Sequence, residues 1–446
     1  MNQSLKARLD EQTATIGIIG LGYVGLPLSL AFTDAGFEVC GFDIDDNRVS
    51  QLQAGDSYVD DVSDAELMAG LDSTFTPASE ATNVAGCDAY IIAVPTGITD
   101  GEPSMGAVRA AAQTIVEQAP NCETLVVVSS TVYPGATNEV VAPIVSADRP
   151  DGTTQFAMVP ERLNPGGDRA IADIPLVIGA DNTRAREAAA TLFGSITETV
   201  PVERIETAEL SKTLENTYRM VNIALVNQLV TLAERLDGDV WEAINAAGTK
   251  PFGFQMFDPG PGVGGHCIPI DPQFLTWRAS ELGTELPFIQ HAHMVNERMP
   301  QRVADNVITA LAARDINPNG ASVIVFGAAY KPNIGDCRHS PAIKIVETLQ
   351  QRLDVTVVDP HVYHREVGVT IEAEVTNEAI AAVDGVLILV DHDIFDFSRI
   401  GEHATLVYDS KNVMPKNTEA TVVTLGEKLV DQQDAIRATA NSNETI

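Results

Sequence analysis

The sequence predicts an α/β protein in which two doubly wound domains are joined by a long central helix. Short apolar runs, typical of buried parallel strands, alternate with helical segments from residue 15 and again from residue 321. Between them, residues 206–236 carry apolar side chains at helical spacing and would span roughly 45 Å. A chain of 446 residues is long enough for two or three domains. We place these at residues 1–204, 205–312 and 313–446.

The first element is a dinucleotide fingerprint. A strand at 15–20 leads into the glycines Gly20, Gly22 and Gly25, a helix follows at 26–32, and a second strand ends at Asp43. This order is that of a Rossmann-like domain and predicts bound NAD, because the glycines admit a pyrophosphate to the helix N-terminus and the acid accepts hydrogen bonds from a ribose. The predicted cofactor contacts are Gly20, Gly22, Tyr23, Val24, Gly25, Asp43, Arg48, Pro95, Thr96 and Thr131.

Further strands of this domain end in polar turns. The runs 89–94 and 125–129 are followed by Thr96 and Thr131, and the run 155–159 is followed by Glu161 and Arg162. Ligands of such sheets bind beyond the carboxyl ends of the strands, so we expect these turns to face the cofactor.

The segment 260–272 follows the central helix and places Cys267 in a glycine-rich run, with Asp271 four residues later. Glycines allow the backbone to approach a ligand closely. A thiol in such a segment can attack an electrophile, and a nearby carboxylate can accept or donate a proton. The alternative is a tight turn with a buried structural cysteine. The segment alone leaves both interpretations open. Beyond it, the strands at 321–327, 355–359 and 386–390 repeat the alternating α/β plan.

Composition excludes several classes of protein. The net charge is −34, from 28 Lys and Arg against 62 Asp and Glu, which disfavours nucleic acid and anionic membranes as partners. An acidic surface with only eight lysines suggests a high-salt cytoplasm. The five scattered cysteines show no metal-binding spacing, and no signal peptide or transmembrane run is evident. We therefore expect a cytoplasmic protein without a metal.

The chain resembles the UDP-glucose/GDP-mannose dehydrogenase family. The resemblance rests on the fingerprint at 20–25, the run from Glu209 to Asn216 that reads ELSKTLEN, the Gly-Gly-His-Cys run that ends at Cys267, and residues 327–338. It implies a two-step NAD-dependent oxidation of a sugar C6 alcohol to a carboxylate. It also implies a homodimer formed through the central helix.

The family chemistry gives the central residues specific roles. By resemblance, Asp271 helps to remove the hydroxyl proton through a water, and Cys267 attacks the aldehyde to form a thiohemiacetal. Its oxidation gives a thioester that water hydrolyses. Lys212 and Asn216 lie one helical turn apart and would stabilise the oxyanion, although Lys212 could instead be a surface charge. We do not expect His266 to form a dyad with Cys267, because adjacent residues of an extended turn usually point apart.

The remaining predicted site residues orient water or bind the nucleotide. Glu161 and Thr131 would position the hydrolytic water; the alternatives are a helix cap and a turn hydroxyl. Residues 331–338 resemble the segment that grips the sugar nucleotide, since Arg and Lys suit a diphosphate. The predicted substrate contacts are Arg162, Lys212, Asn216, Gly264, Lys331 and Arg338, with Asp336 in the same segment.

Two departures bear on the substrate. UDP-glucose dehydrogenases usually carry a lysine where this chain has Ile270 and a second glutamate where it has Pro165. The flanks of Cys267 look more like the UDP-N-acetylhexosamine branch, with UDP-N-acetylglucosamine favoured over the mannosamine epimer. We expect the product to feed polysaccharide or glycan biosynthesis. The alternatives are a UDP-glucose 6-dehydrogenase, a one-step alcohol dehydrogenase with a structural Cys267, and a non-enzymatic NAD-sensing protein.

Overall fold

The computed structural model describes residues 3–59, 61–147, 149–163, 167, 169–236, 238–362 and 369–429. The chain divides into two compact units. The first comprises Met1–Asn216 and Ile270–Leu286, and the second comprises Thr217–Pro269 and Pro287–Ile446. The three-domain division at 1–204, 205–312 and 313–446 stays a prediction.

The described helices are distributed along the whole chain. They are α1 (Leu5–Asp10), α2 (Gly25–Asp34), α3 (Asp46–Ala54), α4 (Asp64–Asp72), α5 (Gly106–Gln118), α6 (Ala142–Ser146), α7 (Thr183–Gly194), α8 (Ile205–Ala233), α9 (Val240–Gly248), α10 (Asp271–Glu281), α11 (Pro287–Ala312), α12 (Pro341–Leu349), α13 (Asn377–Ala382) and α14 (Phe397–His403). The long helix α8 begins in the first unit and ends in the second, because the division falls after Asn216.

The first unit is built on an eight-stranded sheet. Its strands are β1 (Thr15–Ile19), β2 (Glu38–Phe42), β3 (Phe75–Ala78), β4 (Ala89–Ile92), β7 (Thr124–Val128), β8 (Thr154–Met158), β9 (Leu176–Gly179) and β10 (Thr199–Val202), and a short hairpin is formed by β5 (Gly97–Thr99) and β6 (Glu102–Ser104). The sheet order is β10-β9-β8-β7-β4-β1-β2-β3, and β8 and β9 pair antiparallel. The order reverses between β1 and β4, which is where such sheets bind ligands.

The second unit is built on a six-stranded parallel sheet. Its strands are β11 (Ser322–Phe326), β12 (Asp354–Val358), β13 (Ile371–Glu372), β14 (Gly385–Ile388), β15 (Leu406–Asp409) and β16 (Thr421–Thr424). The order β13-β12-β11-β14-β15-β16 is the Rossmann order 3-2-1-4-5-6. The central strands β11 and β14 are almost entirely buried and apolar, as expected for a parallel sheet covered by helices on both faces.

These two sheets confirm the predicted fold class. The predicted strands lie within a residue or two of the observed ones, and the predicted helix 206–236 is α8, which ends at Ala233. The strands that were not predicted in the two sheets are β3, β9, β10, β13, β15 and β16. The edge strand β10 forms no apolar run, because its side chains are only partly buried or exposed. The hairpin strands β5 and β6 have three residues each, too few to show an alternating pattern.

The three fingerprint glycines each meet a different steric demand. Gly20 adopts φ +95°, and a Cβ there would lie 2.5 Å from the Ala93 carbonyl oxygen. A Cβ on Gly25, the first residue of α2, would lie 1.8 Å from the Gly20 carbonyl oxygen. A Cβ on Gly22 would meet no atom within 4 Å. Gly20 and Gly25 therefore serve the turn and the helix–strand packing, and Gly22 leaves open space for a ligand.

This difference predicts opposite effects of two alanine substitutions. Gly25→Ala should lower the free energy of unfolding by about 3 kcal/mol, because the new methyl group forces the backbone at Gly20 to move. Gly22→Ala should change stability by less than about 0.5 kcal/mol but weaken NAD binding at least about tenfold, because the methyl group fills ligand space. Urea unfolding and NAD titration of both variants test this. Equal stability losses would contradict the assignment.

Candidate active site

A buried lysine and a buried carboxylate of the first unit lie on two different helices. Lys212 stands on α8 and is 8% exposed, and Asp271 is the first residue of α10 and is 2% exposed. The side-chain amide of Asn216, one helical turn after Lys212, donates to Asp271 Oδ2 at 2.5 Å. The structure thus brings together three of the predicted catalytic residues, and Lys212 is not a surface charge.

Burial raises the pKa of two carboxyl groups near Lys212. Desolvation raises the pKa of Asp271 to about 6, although the positive charge of Lys212 and the hydrogen bond from Asn216 both lower it. Burial likewise raises the pKa of Glu161, while Lys212 and the backbone N–H groups of Arg162 and Leu163 act in the opposite direction. Lys212 therefore acts electrostatically on both carboxyl groups, and Asp271 titrates near the pH at which a general base is useful.

A third carboxylate ties helix α8 to the loop that follows β7. Glu209 is fully buried and accepts hydrogen bonds from the Gly135 N–H at 2.5 Å, the Thr137 N–H at 2.9 Å and the Thr137 hydroxyl at 2.7 Å. It lies three residues before Lys212, so one helical turn carries both groups. In the sequence Glu209 stands out only as part of the ELSKTLEN motif, because it lies off the apolar stripe of Leu210, Leu214 and Tyr218 and helical spacing gives no signal of its burial.

The loop after β7 also contacts the predicted cofactor turn and helix α10. The Thr96 hydroxyl donates to the Thr131 carbonyl at 2.6 Å, which joins the turns after β4 and β7. Tyr133 packs on Trp277 of α10, with ring centroids 4.8 Å apart. Arg278 of α10 pairs with Glu139 and lies over the Tyr133 ring. The loop that carries Thr131 is therefore joined to the turn after β4 and to helix α10, whereas Pro95 is exposed.

The predicted acid of the fingerprint is part of the turn itself. Asp43 accepts the Leu21 N–H at 2.8 Å and the Asp45 N–H at 3.0 Å, one on each carboxylate oxygen. A carboxylate has about four acceptor sites, so two remain for a ribose. Arg48 pairs with Asp45 and lies over the ring of Tyr58, at the same edge of the sheet. Tyr23 and Val24, between the second and third glycines, are partly buried against the core of the unit.

Arg162 makes several contacts with protein groups. Its Nε and Nη2 form a two-bond pair with Glu215, at 3.2 and 2.7 Å, and its Nη1 donates to the Pro175 carbonyl at 2.5 Å. Its predicted contact with the substrate stays a prediction. The position of Pro165, used in the argument about the sugar, lies outside the described residues.

Cys267 belongs to the second unit, in a turn shaped by glycines. A Cβ on Gly264 would lie 2.6 Å from Tyr330 Cβ, and Gly265 has φ +80° and donates its N–H to the Arg338 carbonyl at 2.9 Å. The thiol is partly exposed, and its sulfur lies 3.9 Å from Nδ1 and 3.8 Å from Nε2 of His266.

The position of His266 corrects one expectation. Its ring does not point away from Cys267, because a tight glycine turn does not alternate its side chains as an extended segment does. The two sulfur–nitrogen distances are nearly equal, whereas a thiol on the in-plane lone pair of one nitrogen would be much farther from the other. The geometry therefore gives no aligned Cys–His hydrogen bond.

The predicted nucleotide segment of the second unit folds back on itself. The Tyr330 N–H donates to the Asp336 carbonyl at 3.0 Å, and Arg338 binds the Asp336 carboxylate through Nε at 3.0 and 2.9 Å and Nη2 at 2.6 Å. Burial raises the pKa of Asp336, but the hydrogen bonds and the charge of Arg338 bring this pKa below its usual value. Lys331 is partly exposed on the same segment. Gly264, next to Tyr330, completes the predicted substrate contacts of this unit.

Comparison with known families and proteins decides the identity. Three family models match in order: the NAD binding domain of the UDP-glucose/GDP-mannose dehydrogenase family at residues 14–197, its central domain at 206–298 and its UDP binding domain at 324–416.

The chain belongs to the UDP-glucose/GDP-mannose dehydrogenase family. It is an NAD-dependent nucleotide-sugar dehydrogenase.

Individual relatives in this family cover nearly the whole chain. A UDP-N-acetyl-D-glucosamine 6-dehydrogenase of Salmonella typhi is 34% identical over 420 residues, which cover 90% of this chain and 96% of the relative. A UDP-N-acetyl-D-mannosamine dehydrogenase of Methanococcus vannielii is 32% identical over 418 residues, covering 90% and 93%. The solved UDP-D-ManNAc dehydrogenase of Pyrococcus horikoshii has a TM-score of 0.84 at 28% identity, covering 93% and 100%.

Membership in the family confirms the predicted cofactor, NAD, and the chain carries the family's UDP binding domain. Within the described ranges, no helix is both long and apolar enough to cross a membrane. The same ranges contain no group of three or more His, Cys, Asp or Glu side chains arranged to hold a metal ion.

The raised pKa of Asp271 predicts a pH-dependent stability. Its pKa is about 6 in the folded protein against an ordinary 3.8. The folded protein therefore holds more protons than the unfolded chain between these pH values, and this group lowers stability as pH rises from about 4 to about 6. The full effect is about 3 kcal/mol.

The comparison of Asp271→Asn with the wild type by urea unfolding, from pH 4 to pH 8, tests this expectation. The wild type should lose about 3 kcal/mol relative to the variant across that range, because the amide does not titrate. A difference that stays constant with pH would show that Asp271 ionises in the fold as it does in the unfolded chain.

Proposed function

We propose that this dehydrogenase catalyses the four-electron oxidation of the C6 alcohol of a UDP-N-acetylhexosamine to the uronic acid. UDP-N-acetylglucosamine is the favoured substrate and UDP-N-acetylmannosamine the next. The observation that carries the proposal is the buried cluster of Lys212, Asn216 and Asp271, which supplies a cation, an amide donor and a carboxylate with a pKa of about 6. Relatives that are 30–34% identical are named as dehydrogenases of both N-acetylhexosamine epimers.

The first proposed step needs a base and an oxyanion site. Asp271, ionised above pH 6, takes the proton of the C6 hydroxyl through a water. Lys212 and the Asn216 amide stabilise the developing oxygen charge, which is worth most in a dry, pre-organised site. Bound NAD would accept the hydride in each of the two oxidations. The roles of these residues are proposals that the buried geometry supports.

The second step uses the thiol. Cys267 attacks the C6 aldehyde carbon, the carbonyl oxygen takes up a proton, and the thiohemiacetal keeps the reactive aldehyde attached to the protein. After its oxidation, Glu161 and Thr131 position the water that displaces the thiolate from the thioester. Cys267 and Asp271 are four residues apart in the chain, so their Cα atoms are separated by at most about 14 Å.

The fold of the second unit supports the proposed site for the UDP moiety. Lys331 and Arg338 stand on the folded segment within the family's UDP binding domain. Arg338 shares its charge with Asp336, which fixes the guanidinium in a defined orientation before a diphosphate binds. Plain UDP-glucose remains the second candidate, because a UDP-glucose dehydrogenase of Pyrobaculum islandicum has a TM-score of 0.83 at 28% identity.

The reaction predicts two NADH per sugar. Incubation with NAD and UDP-N-acetylglucosamine, UDP-N-acetylmannosamine or UDP-glucose should give the highest kcat/KM with an N-acetylated sugar and a ratio of NADH to uronic acid of two. A ratio of one with free aldehyde would favour the one-step alcohol dehydrogenase, and no turnover of any sugar would favour the NAD-sensing protein.

A cysteine substitution separates the covalent mechanism from its alternative. Cys267→Ser should lower uronic acid formation at least about 100-fold, because a hydroxyl is a far weaker nucleophile than a thiolate. Cys122→Ser, which changes another thiol-bearing residue that is exposed, is the matched control and should retain the parent rate. Parent activity in Cys267→Ser would contradict covalent catalysis.

We also propose a homodimer through α8. Six large apolar residues at helical spacing on this helix are between 41% and 59% exposed: Leu210, Leu214, Tyr218, Leu225, Leu229 and Leu232. Such a stripe is unfavourable in water, and the same stripe of a second copy can cover it across a twofold axis. The cytoplasmic location and the adaptation to high salt stay predictions.

Substitution on the stripe tests the dimer. Leu229→Glu should shift the protein from dimer to monomer in analytical ultracentrifugation, because it buries a charge at the proposed interface. Gln51→Glu adds the same charge at an exposed position of a different helix, α3, and should leave the dimer intact. A wild type that sediments as a monomer, or a Leu229→Glu dimer as tight as the parent, would contradict the interface.

A further inference from the structure

A buried histidine of the second unit touches the nucleotide segment but has no role in the chemistry above. His392 follows β14 and is fully buried. Its Nε2 lies 3.0 Å from Asp359 Oδ2, and its Nδ1 lies 2.9 Å from the backbone nitrogen of Asn333. Asn333 stands between Lys331 and Arg338, the two proposed nucleotide contacts.

The hydrogen bonds fix the tautomer of this ring. The Asn333 N–H can only donate, so Nδ1 must present its lone pair. Nε2 then carries the ring proton and donates to the Asp359 carboxylate. If both ring nitrogens carried a proton, the Nδ1–H of His392 would face the N–H of Asn333, and two donors would oppose each other. His392 is therefore a neutral connector between a carboxylate and a loop.

The carboxylate partner is held by several other groups of the protein. Asp359 Oδ2 also accepts the N–H groups of Ala328 at 2.7 Å and Ala329 at 3.0 Å, and Oδ1 accepts the His361 N–H at 2.9 Å. Burial raises the pKa of Asp359, but these hydrogen bonds and the one from His392 bring this pKa below its usual value. Four protein donors therefore bind Asp359, three on Oδ2 and one on Oδ1.

Asn333 is fixed by its side chain as well. It adopts φ +62°, a conformation unfavourable for most residues. Its Nδ2 donates to Asp393 Oδ2 at 2.8 Å, and its Oδ1 accepts the Asp393 N–H at 3.0 Å. A second contact supports the same loop, since a Cβ on Gly335 would lie 2.5 Å from the His361 carbonyl oxygen.

We infer that His392 is a positioning residue for the UDP moiety, because it couples Asp359 to the middle of the loop that carries Lys331 and Arg338. Asp359 holds the start of this loop at Ala328 and Ala329, and His392 extends that hold to Asn333. The inference rests on the proposed role of the loop in UDP binding. It predicts that the bond to Asn333, rather than the bond to Asp359, sets the affinity for UDP.

Two substitutions separate these bonds. The side-chain oxygen of His392→Asn can replace Nδ1 as the acceptor for Asn333 but leaves Asp359 without its donor. The amide of His392→Gln can replace Nε2 as the donor to Asp359 but leaves the Asn333 N–H without an acceptor. Calorimetric titration with UDP should show about tenfold weaker binding by His392→Gln, the effect of one lost hydrogen bond, and less than about threefold weaker binding by His392→Asn.

The controls distinguish positioning from a merely structural role. Melting temperatures should fall in both variants, and NAD affinity should not change in either. Equal UDP affinity in the two variants and the wild type would overturn the role of His392 alone. A wild type that binds NAD but no UDP would overturn the proposed UDP site as well.

An exposed residue provides a test that does not disturb the core. Asp393→Ala removes one of the two hydrogen bonds of the Asn333 side chain, the one that Nδ2 donates, at an exposed position and should weaken UDP binding about fivefold without lowering stability. Asp354→Ala, an exposed aspartate at the start of β12, is the matched control and should bind UDP as the wild type does. Unchanged UDP affinity in Asp393→Ala would overturn the inference.

Discussion

The proposed chemistry of the first unit depends on the electrostatic interaction of the buried Lys212 ammonium group with two carboxyl groups. Two carboxyl groups, Asp271 and Glu161, are desolvated within reach of its field, and each has a raised pKa that would be higher still without the lysine. Removal of one charge from such a cluster leaves the others buried and uncompensated. The cluster therefore constrains helix α8, helix α10 and the turn after β8 together, because the charge of Lys212 acts on both carboxyl groups.

Glu209 extends this constraint along α8 to the backbone. Its carboxylate binds the N–H groups of Gly135 and Thr137, which follow the turn of Thr131. A buried carboxylate with three donors is stable only while the loop keeps its conformation, so the helix that presents Lys212 also fixes the loop that presents Thr131. Placement of the two groups is thus a property of one helix and not of two independent loops.

The local sequence was sufficient to predict many of the strands and the glycine turn. It was not sufficient to predict which side chains bind each other. The fingerprint glycines could be interpreted because each acts on neighbours within the same βα unit, as Gly25 does on Gly20. The bond between Asn216 and Asp271 joins residues 55 positions apart, and no periodicity carries that information. The family resemblance named these two residues as catalytic, but only the packing of α8 and α10 shows their contact and the burial that raises the pKa.

The two α/β units show why a strand-and-acid pattern does not by itself specify a ligand. Asp43 and Asp359 both follow the second strand of their unit, and both accept N–H groups from the loop after the first strand. Both also accept the N–H two residues later, from Asp45 and His361, but Asp359 additionally binds the ring of His392, which follows β14. The additional donor to Asp359 comes from a residue that follows another strand of the sheet. The ligand of a Rossmann-like unit therefore depends on which donors from other strands lie next to the acid that follows the second strand.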